Sequence, residues 1–540
     1  MARAALFLCL VAAALGAEAP TRKPNIVFII TDDQDSMLNA TDVMPNYVQR
    51  FAVEGMQMVN AFVASPKCCP SRTSLLSGRF SHGLNDQALG WCGNFISADH
   101  EDDTFIARVK VEGYTTGLFG KVVNDMGPMC SAAARVPQGF NVSSGDAFVA
   151  MCNEVVYYGN KFNVNGKLFT TGMEPSDYLM SWLGNKTMPW LTNAAAAAAA
   201  PGGAPFFAYL APHAPHFPAE PAPWYADAPL PSLVAPRVPS YNNTGTGKHW
   251  AITQNAPLGD FTAAGIDLHF RNRQRSLMSF DDYVRDVFAT LEAAGVLDNT
   301  YVFATSDHGC EVQALAHAPL RPRRELTPSP PPPHTVDHLG NFRIPFEKST
   351  NYDTDVRVPF YVRGPGVPAG GRGEGMVSLM DVGATVLDLA GATPQHARTT
   401  DGRSLVPLLG ASGAPPPGWR NSVLIEHVAE ENQWMGICGW VFNATGCGGK
   451  APPARDVQYL IDGPQNTFAQ LRVVNATHDF SYTEFRPRGS DIAAASTNFT
   501  ELYDNRADPW QNENIAPSVS VAPYAEELWR YATCEKASCP

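Results

Sequence analysis

Four short, mostly apolar runs set the pattern of this chain, and each breaks off at a polar or charged residue. Ile26 to Ile30 runs into Asp32-Asp33, and Thr115 to Phe119 into Gly120-Lys121. Phe206 to Leu210 runs into Pro212-His213, and Tyr301 to Thr305 into Asp307-His308. Unbroken apolar runs of this length are the mark of strands buried on both faces, as in a parallel sheet. Open α/β sheets bind their ligands beyond the carboxyl ends of such strands. The pattern therefore predicts one crevice receiving two carboxylates, an amine, an imidazole and a second carboxylate–imidazole pair. Any single run alone is better read as a strand that merely ends at water; the set of four carries the inference.

Helical periodicity fills the gaps. Val284, Val287, Phe288 and Leu291 recur at i, i+3, i+4, i+7 and predict an amphipathic helix before the Tyr301 strand. Leu379, Val382, Val386 and Leu389 predict another, closed by Gly391. Near the end, Tyr524, Leu528 and Tyr531 predict a helix over 522–533. Three segments read as insertions or linkers. They are the alanine run Ala194 to Ala200, the proline-rich stretch within 311–336, and Gly413 to Gly418. The first two are expected as surface loops and the third as a domain junction.

The chain has 540 residues and a formal charge of −13. The acidic balance argues against nucleic acid, whose binders carry a basic face. Residues 1–19 place Arg3 before the apolar run Ala4 to Leu15, then Gly16, Ala17 and Ala19. That layout predicts a secretory signal peptide, too short to span a bilayer. No later run is long enough to cross one, so a secreted protein without a membrane span is expected, in the extracellular or periplasmic space or cell wall. Glycosylation sequons at Asn39, Asn141, Asn185, Asn242, Asn443, Asn475 and Asn498 agree with export. Eleven cysteines are present, of which Cys9 leaves with the signal. Cys438/Cys447 and Cys534/Cys539 are close enough for local disulfides, and Cys130/Cys152 is possible, although spacing alone does not fix pairing.

The most specific string is Cys68-Cys69-Pro70-Ser71-Arg72-Thr73-Ser74-Leu75-Leu76-Ser77-Gly78-Arg79. Pro70 and Ser71 suit a helix start, which puts Cys68 at the helix N-terminus, where unpaired N–H groups and the dipole favour an anion. Arg72, one turn on, offers a fixed cation to that anion. Local physics alone is as well satisfied by a structural cysteine before a capped helix.

This string resembles the sulfatase signature C-x-P-S-R followed by a Gly-Arg pair. Further motifs match in order. They are Asp32-Asp33, Gly120-Lys121, Pro212-His213-Ala214-Pro215, Asp307-His308-Gly309, Lys348 with Tyr352 and Arg357-Val358-Pro359, Asp401-Gly402-Arg403-Ser404-Leu405, and Glu501-Leu502-Tyr503-Asp504. The resemblance runs from about residue 23 to 515, and is strongest to secreted algal arylsulfatases and glucosamine-6-sulfatases. It implies an α/β fold: an alkaline-phosphatase-like large domain with a mostly parallel mixed sheet flanked by helices, plus a smaller C-terminal α+β domain. The expected bounds are 20–411 for the catalytic domain and 412–540 for the C-terminal one.

The resemblance also implies chemistry. A formylglycine-generating enzyme would oxidise Cys68 to formylglycine. The hydrate's first hydroxyl displaces the alcohol from sulfur, and its second expels sulfate as the aldehyde re-forms. Asp32, Asp33, Asp307 and His308, with the converted Cys68, look like the ligands of one Ca²⁺. Arg72, Lys121 and Lys348 would spread positive charge over the sulfate oxygens. His213, or Lys348, would protonate the leaving oxygen, and His216 is placed on the substrate side. Where many sulfatases carry a histidine two residues after the strand lysine, this chain has Val123, which leaves the base for the second hydroxyl unassigned.

The expected function is hydrolysis of aryl or carbohydrate sulfate monoesters to alcohol or phenol and inorganic sulfate, serving sulfate scavenging. The alternatives are a phosphomonoester or phosphonate-ester hydrolase of the same superfamily and a catalytically silent polysaccharide-binding glycoprotein.

Overall fold

The computed structural model describes residues 22–34, 36, 40–84, 103–124, 126–137, 139–152, 156–309, 338–346, 348–392, 400–410, 413–429, 433–435, 457–487, 497–534 and 539. The expected signal segment 1–19, the 311–336 insertion, Asn39, Asn443 and the Cys438/Cys447 pair lie outside the described residues.

The main sheet contains β1 (Asn25–Thr31), β2 (Met56–Phe62), β3 (Thr115–Gly120), β4 (Ala147–Met151), β5 (Lys161–Val164), β6 (Lys167–Thr170), β7 (Phe206–Ala211), β8 (Thr300–Ser306), β9 (Phe360–Arg363) and β10 (Gly371–Ser378). Their order is β10-β2-β9-β8-β1-β7-β3-β4-β5-β6. The central pairings β8-β1, β1-β7, β7-β3 and β3-β4 are parallel, as is β2-β10. β9 runs against both its neighbours, and β4-β5-β6 is an antiparallel edge. All four apolar runs are strands of this sheet, and they are contiguous in it.

Alternation along β1 shows why both faces must be covered. Ile26, Phe28 and Ile30 enter one apolar cluster, Val27 and Ile29 another, and all five are fully buried. Burial of each such side chain contributes roughly 1.5–3 kcal/mol. One layer is built by α1 (Cys68–Ser77) and α2 (Phe105–Val111), with Phe105, Ile106 and Val109 of α2 inward. The opposite layer is α3 (Leu179–Ala199) and α4 (Asp260–Ala293), and α4 buries Val284, Val287, Phe288 and Leu291 as their spacing predicts. The helix expected from Leu379 is α5 (Asp381–Leu389), on the α2 side. It starts two residues later than the apolar spacing suggests because the Asp381 carboxylate accepts the Ser378 amide, 2.8 Å away, and closes the turn.

One expectation is corrected. The alanine run is not a surface loop: residues 194–199 are the last turns of α3, and Ala194, Ala195 and Ala198 pack into the core. Alanine is the strongest helix former, and the turn comes only at Pro201-Gly202, after the run.

A second sheet follows in sequence. It comprises β11 (Ser422–His427), β14 (Thr467–Val474), β15 (Asp479–Arg486) and β16 (Phe499–Asp504), and between β11 and β14 the chain forms a separate two-stranded ladder of β12 (Gln433–Met435) and β13 (Tyr459–Asp462). β11-β14-β15-β16 is fully antiparallel. α6 (Ala522–Ala532) lays Leu528 and Tyr531 on it. Cys130–Cys152 and Cys534–Cys539 are disulfides. Among the described residues, no helix is long and apolar enough to cross a membrane.

Candidate active site

Strand register assembles the site. Thr31 pairs with Ser306, so the backbone delivers Asp32-Asp33 and Asp307-His308 side by side. Gly120 pairs with Ala211, which sets Lys121 next to the turn carrying His213. That approach is close: Gly120 has φ +110°, and a Cβ there would lie 2.0 Å from the Ala211 carbonyl oxygen. Only glycine fits such a position. Helix α1 enters from Lys67, presents Cys68 at its first turn and ends at Gly78, in the left-handed conformation. The Asp401 motif holds that end: its carboxylate accepts the Phe80 amide at 2.8 Å and its amide donates to the Gly78 carbonyl at 2.7 Å.

Every expected site residue converges here. Asp32 Oδ2 accepts Lys121 Nζ at 2.9 Å and lies 2.7 Å from His213 Nδ1. Asp33 Oδ1 accepts Lys348 Nζ at 2.8 Å and lies 3.2 Å from His308 Nε2. His308 Nε2 is also 3.3 Å from Cys68 Sγ. Arg72 is fully buried; its Nε donates to Asp307 Oδ2 at 2.8 Å and its Nη1 to the Lys121 carbonyl at 2.9 Å. The guanidinium is thus spent on orienting Asp307 and the Lys121 turn. Ser71 Oγ donates to the Asp307 carbonyl, a second tie from α1 to the same strand end.

The charges are extreme for a buried site. Burial opposes ionisation of Asp32, yet Lys121, His216 and Arg72 hold it well below the usual carboxylate range. Asp33 is likewise held low, with burial outweighed by Lys348, His216 and His308. Burial pushes Asp307 up to about 6 against the pull of Arg72. Burial also disfavours a Cys68 thiolate, but Lys121, Lys348 and His308 hold the thiol well below its ordinary value.

A cation fits this arrangement. Donor atoms of Asp32, Asp33, Cys68 and His216 lie within 4.8 Å of one another, as do those of Asp32, Cys68, Asp307 and His308. Asp32 Oδ1 and His308 Nδ1 are buried without hydrogen-bond partners. Three carboxylates with imidazole nitrogen at the edge suit a divalent ion. His213 Nε2 is also buried and unpartnered; burial and the neighbouring His216 lower the His213 pKa to about 4 despite Asp32, so the ring stands neutral with Nδ1 toward Asp32.

Two participants go beyond the sequence reading. His216, assigned to the substrate side, instead reaches the acidic cluster: Nδ1 lies 2.7 Å from the Phe217 carbonyl, and Nε2 is 3.7 Å from Asp33 Oδ2. The doubled His-X-Pro of His213-Ala214-Pro215-His216-Phe217-Pro218 was the available signal. Arg273 was missed. It is buried on α4 and donates from Nη2 to the Asp33 carbonyl at 2.9 Å; its only trace is an arginine on the buried side of an amphipathic helix. Val123 packs into the apolar core.

A family model described as Sulfatase matches residues 24–392. Human N-acetylglucosamine-6-sulfatase is 31% identical over 536 residues, covering 97% of this chain and 87% of that protein. An arylsulfatase of Chlamydomonas reinhardtii is 28% identical over 570 residues, covering 98% and 75%. In fold, the chain is similar to the protein BT4656, solved with its substrate D-glucosamine-2-N,6-O-disulfate. The TM-score is 0.63 at 19% identity, over 94% of this chain and 96% of that one.

Proposed function

The chain belongs to the sulfatase family and is a sulfuric ester hydrolase, and on that premise we propose that Cys68, converted to formylglycine, is its nucleophile toward aryl or carbohydrate sulfate monoesters. The observation that carries this reading is the placement of Cys68 Sγ. It lies at the start of a buried helix, 3.3 Å from His308 Nε2 and inside the acidic cluster, with Lys121 and Lys348 as flanking cations.

Sγ marks where the hydrate oxygens of formylglycine would stand. Formylglycine supplies two hydroxyls on one carbon, one to displace the alcohol from sulfur and one to expel the sulfate. Asp32, Asp33, Asp307 and His308 would hold Ca²⁺, whose charge favours the ionised hydroxyl. Lys121, paired with Asp32, and Lys348, paired with Asp33, would spread positive charge over the sulfate oxygens. His213 is oriented by Asp32 through Nδ1, but burial and His216 lower its pKa to about 4, so the proton for the leaving oxygen would come from Lys348, with His213 in place as a neutral imidazole. Arg72 and Arg273 fix the carboxylate-bearing turns. Closure against water is supplied by the burial of Asp32, Arg72, His213, Asp307 and His308, all at 0% exposure.

Export through a cleaved signal at 1–19, glycosylation, conversion by a formylglycine-generating enzyme and a boundary at 411/412 belong to the same reading. The boundary is supported by the second sheet, whose strands all begin after residue 421.

The test is sulfate release from nitrophenyl sulfate by wild type and Cys68→Ala, with and without a chelator. Wild type should turn over, and the variant and the chelated enzyme should each lose at least about 10³-fold. Full activity in Cys68→Ala contradicts the nucleophile assignment, and full activity after chelation contradicts the cation. Parallel assays on nitrophenyl phosphate read out the phosphoester alternative.

A further inference from the structure

We propose that Asp462, at the end of β13, and Asn466, in the turn into β14, are positioning residues for catalysis, gripping the chain on both flanks of the reactive centre. The inference rests on the sulfatase reading above. On one flank is Lys67, the residue immediately before Cys68. It forms the N-terminal boundary of α1, and its carbonyl accepts the Ser71 amide at 3.0 Å. Its Nζ lies 3.8 Å from Asp462 Oδ2, with Lys67 16% exposed and Asp462 1%. On the other flank is Ser349, immediately after Lys348. Its carbonyl accepts Asn466 Nδ2 at 2.7 Å, and the same amide donates to Asp462 Oδ1 at 2.9 Å. Asp462 is completed by the Gly463 amide at 2.8 Å and by His427 Nε2 at 3.2 Å.

Two features favour positioning over plain stability. Ser349 has φ +89° and is buried, a strained conformation that side-chain-bearing residues rarely adopt. The Asn466 hydrogen bond holds that strained turn, and the turn aims Lys348 Nζ at Asp33. Asp462 is a buried charge, and buried ionic clusters are weak contributors to net stability. A strained backbone and a buried carboxylate, side by side and one residue from two reacting groups, are explained by the geometry they impose. Misplacing a reacting group by about 1 Å costs on the order of 10²-fold in rate.

The experiment measures kcat and KM on nitrophenyl sulfate for Asn466→Ala, Asp462→Asn and Lys67→Met, each also in a Lys348→Ala background. Formylglycine content at residue 68 and thermal midpoint are checked alongside. Wild type is measured first, on nitrophenyl sulfate and on a sugar sulfate: failure to release sulfate from either would overturn the proposed function, and this inference with it. With an active wild type, Asn466→Ala and Asp462→Asn should lower kcat about 10- to 100-fold with KM within about threefold and formylglycine content unchanged. In the Lys348→Ala background the Asn466→Ala loss should shrink to under about threefold, because the group it aims is gone. Wild-type kcat in Asn466→Ala, or an equal loss in both backgrounds, overturns the proposal. Should the buried variants fail to fold, Lys67→Met decides. Lys67 is partly exposed and Met keeps the apolar stem of its side chain, so a folded variant is expected; a several-fold loss in kcat supports the proposal and an unchanged kcat refutes it.

Discussion

Arg72 shows how much of this site is residue-level electrostatics. It is fully buried and donates to Asp307, while its Nη2 lies 3.5 Å from Asp32 Oδ1. Removing it leaves two carboxylates in low dielectric without their nearest guanidinium, so Arg72→Ala should destabilise by on the order of 3–5 kcal/mol. Urea unfolding in excess chelator, so that metal does not mask the change, would read it; a loss below about 1 kcal/mol would contradict the pairing. Arg72 was legible in the sequence as a cation one turn from Cys68, but its partner was not. The sequence suggests a charge offered to the substrate anion, and the structure shows it oriented to Asp307. Spacing reports which residues share a helix face; it does not report what lies opposite that face. Arg273 was invisible for the same reason, since nothing local distinguishes its contact with the Asp33 carbonyl.

At the scale of elements, the sequence was most informative where burial was two-sided. The four apolar runs became β1, β3, β7 and β8, adjacent strands whose carboxyl ends form the site. The polar residue closing each run was therefore a sound guide to position. The alanine run misled because alanine is small enough for linkers and also ideal for helices; the packing of Ala194, Ala195 and Ala198 decided it. Motifs such as Tyr352, Arg357 and Glu501 look chemical in a list and turn out to be scaffold. Tyr352 Oη donates to Glu501 at 3.2 Å, and Arg357 Nη2 donates to the Val59 carbonyl at 2.8 Å. Gly120 gives the element-scale prediction. A Cβ at Gly120 would collide with the Ala211 carbonyl, so Gly120→Ala should cost at least about 2 kcal/mol and displace Lys121. A lowered thermal midpoint with reduced kcat is expected; a variant as stable and active as wild type would show that the β3–β7 ladder is looser than described.

Across the whole molecule, the second sheet is tied to the first by buried charge. Arg472 forms a bidentate pair with Asp353, at 2.7 and 2.6 Å, and reaches Asp479 with its other nitrogen at 2.6 Å. Glu426 on β11 donates its amide to the Ala64 carbonyl and holds His82 Nδ1 at 2.6 Å. Burial alone would lower the His82 pKa, but the Glu426 charge outweighs it and raises it to about 9. The sign follows from linkage. The folded value lies above the ordinary 6.5, so the pair's stabilisation is complete below about pH 6.5 and lost as pH rises through about 9. Wild type should therefore lose on the order of 2 kcal/mol between those limits relative to His82→Gln, measured by denaturant midpoints across the range. Equal slopes for the two proteins would remove this link from the account. None of these cross-sheet ties was legible beforehand, because their partners lie 119 and 344 positions apart and carry no motif.

Catalysis by this chain turns on the chemistry of one side chain, and tandem mass spectrometry of the peptide carrying residue 68, taken from material that releases sulfate, tests it most directly. An aldehyde or its hydrate in place of the thiol is predicted. An intact Cys68 thiol throughout fully active protein would contradict it.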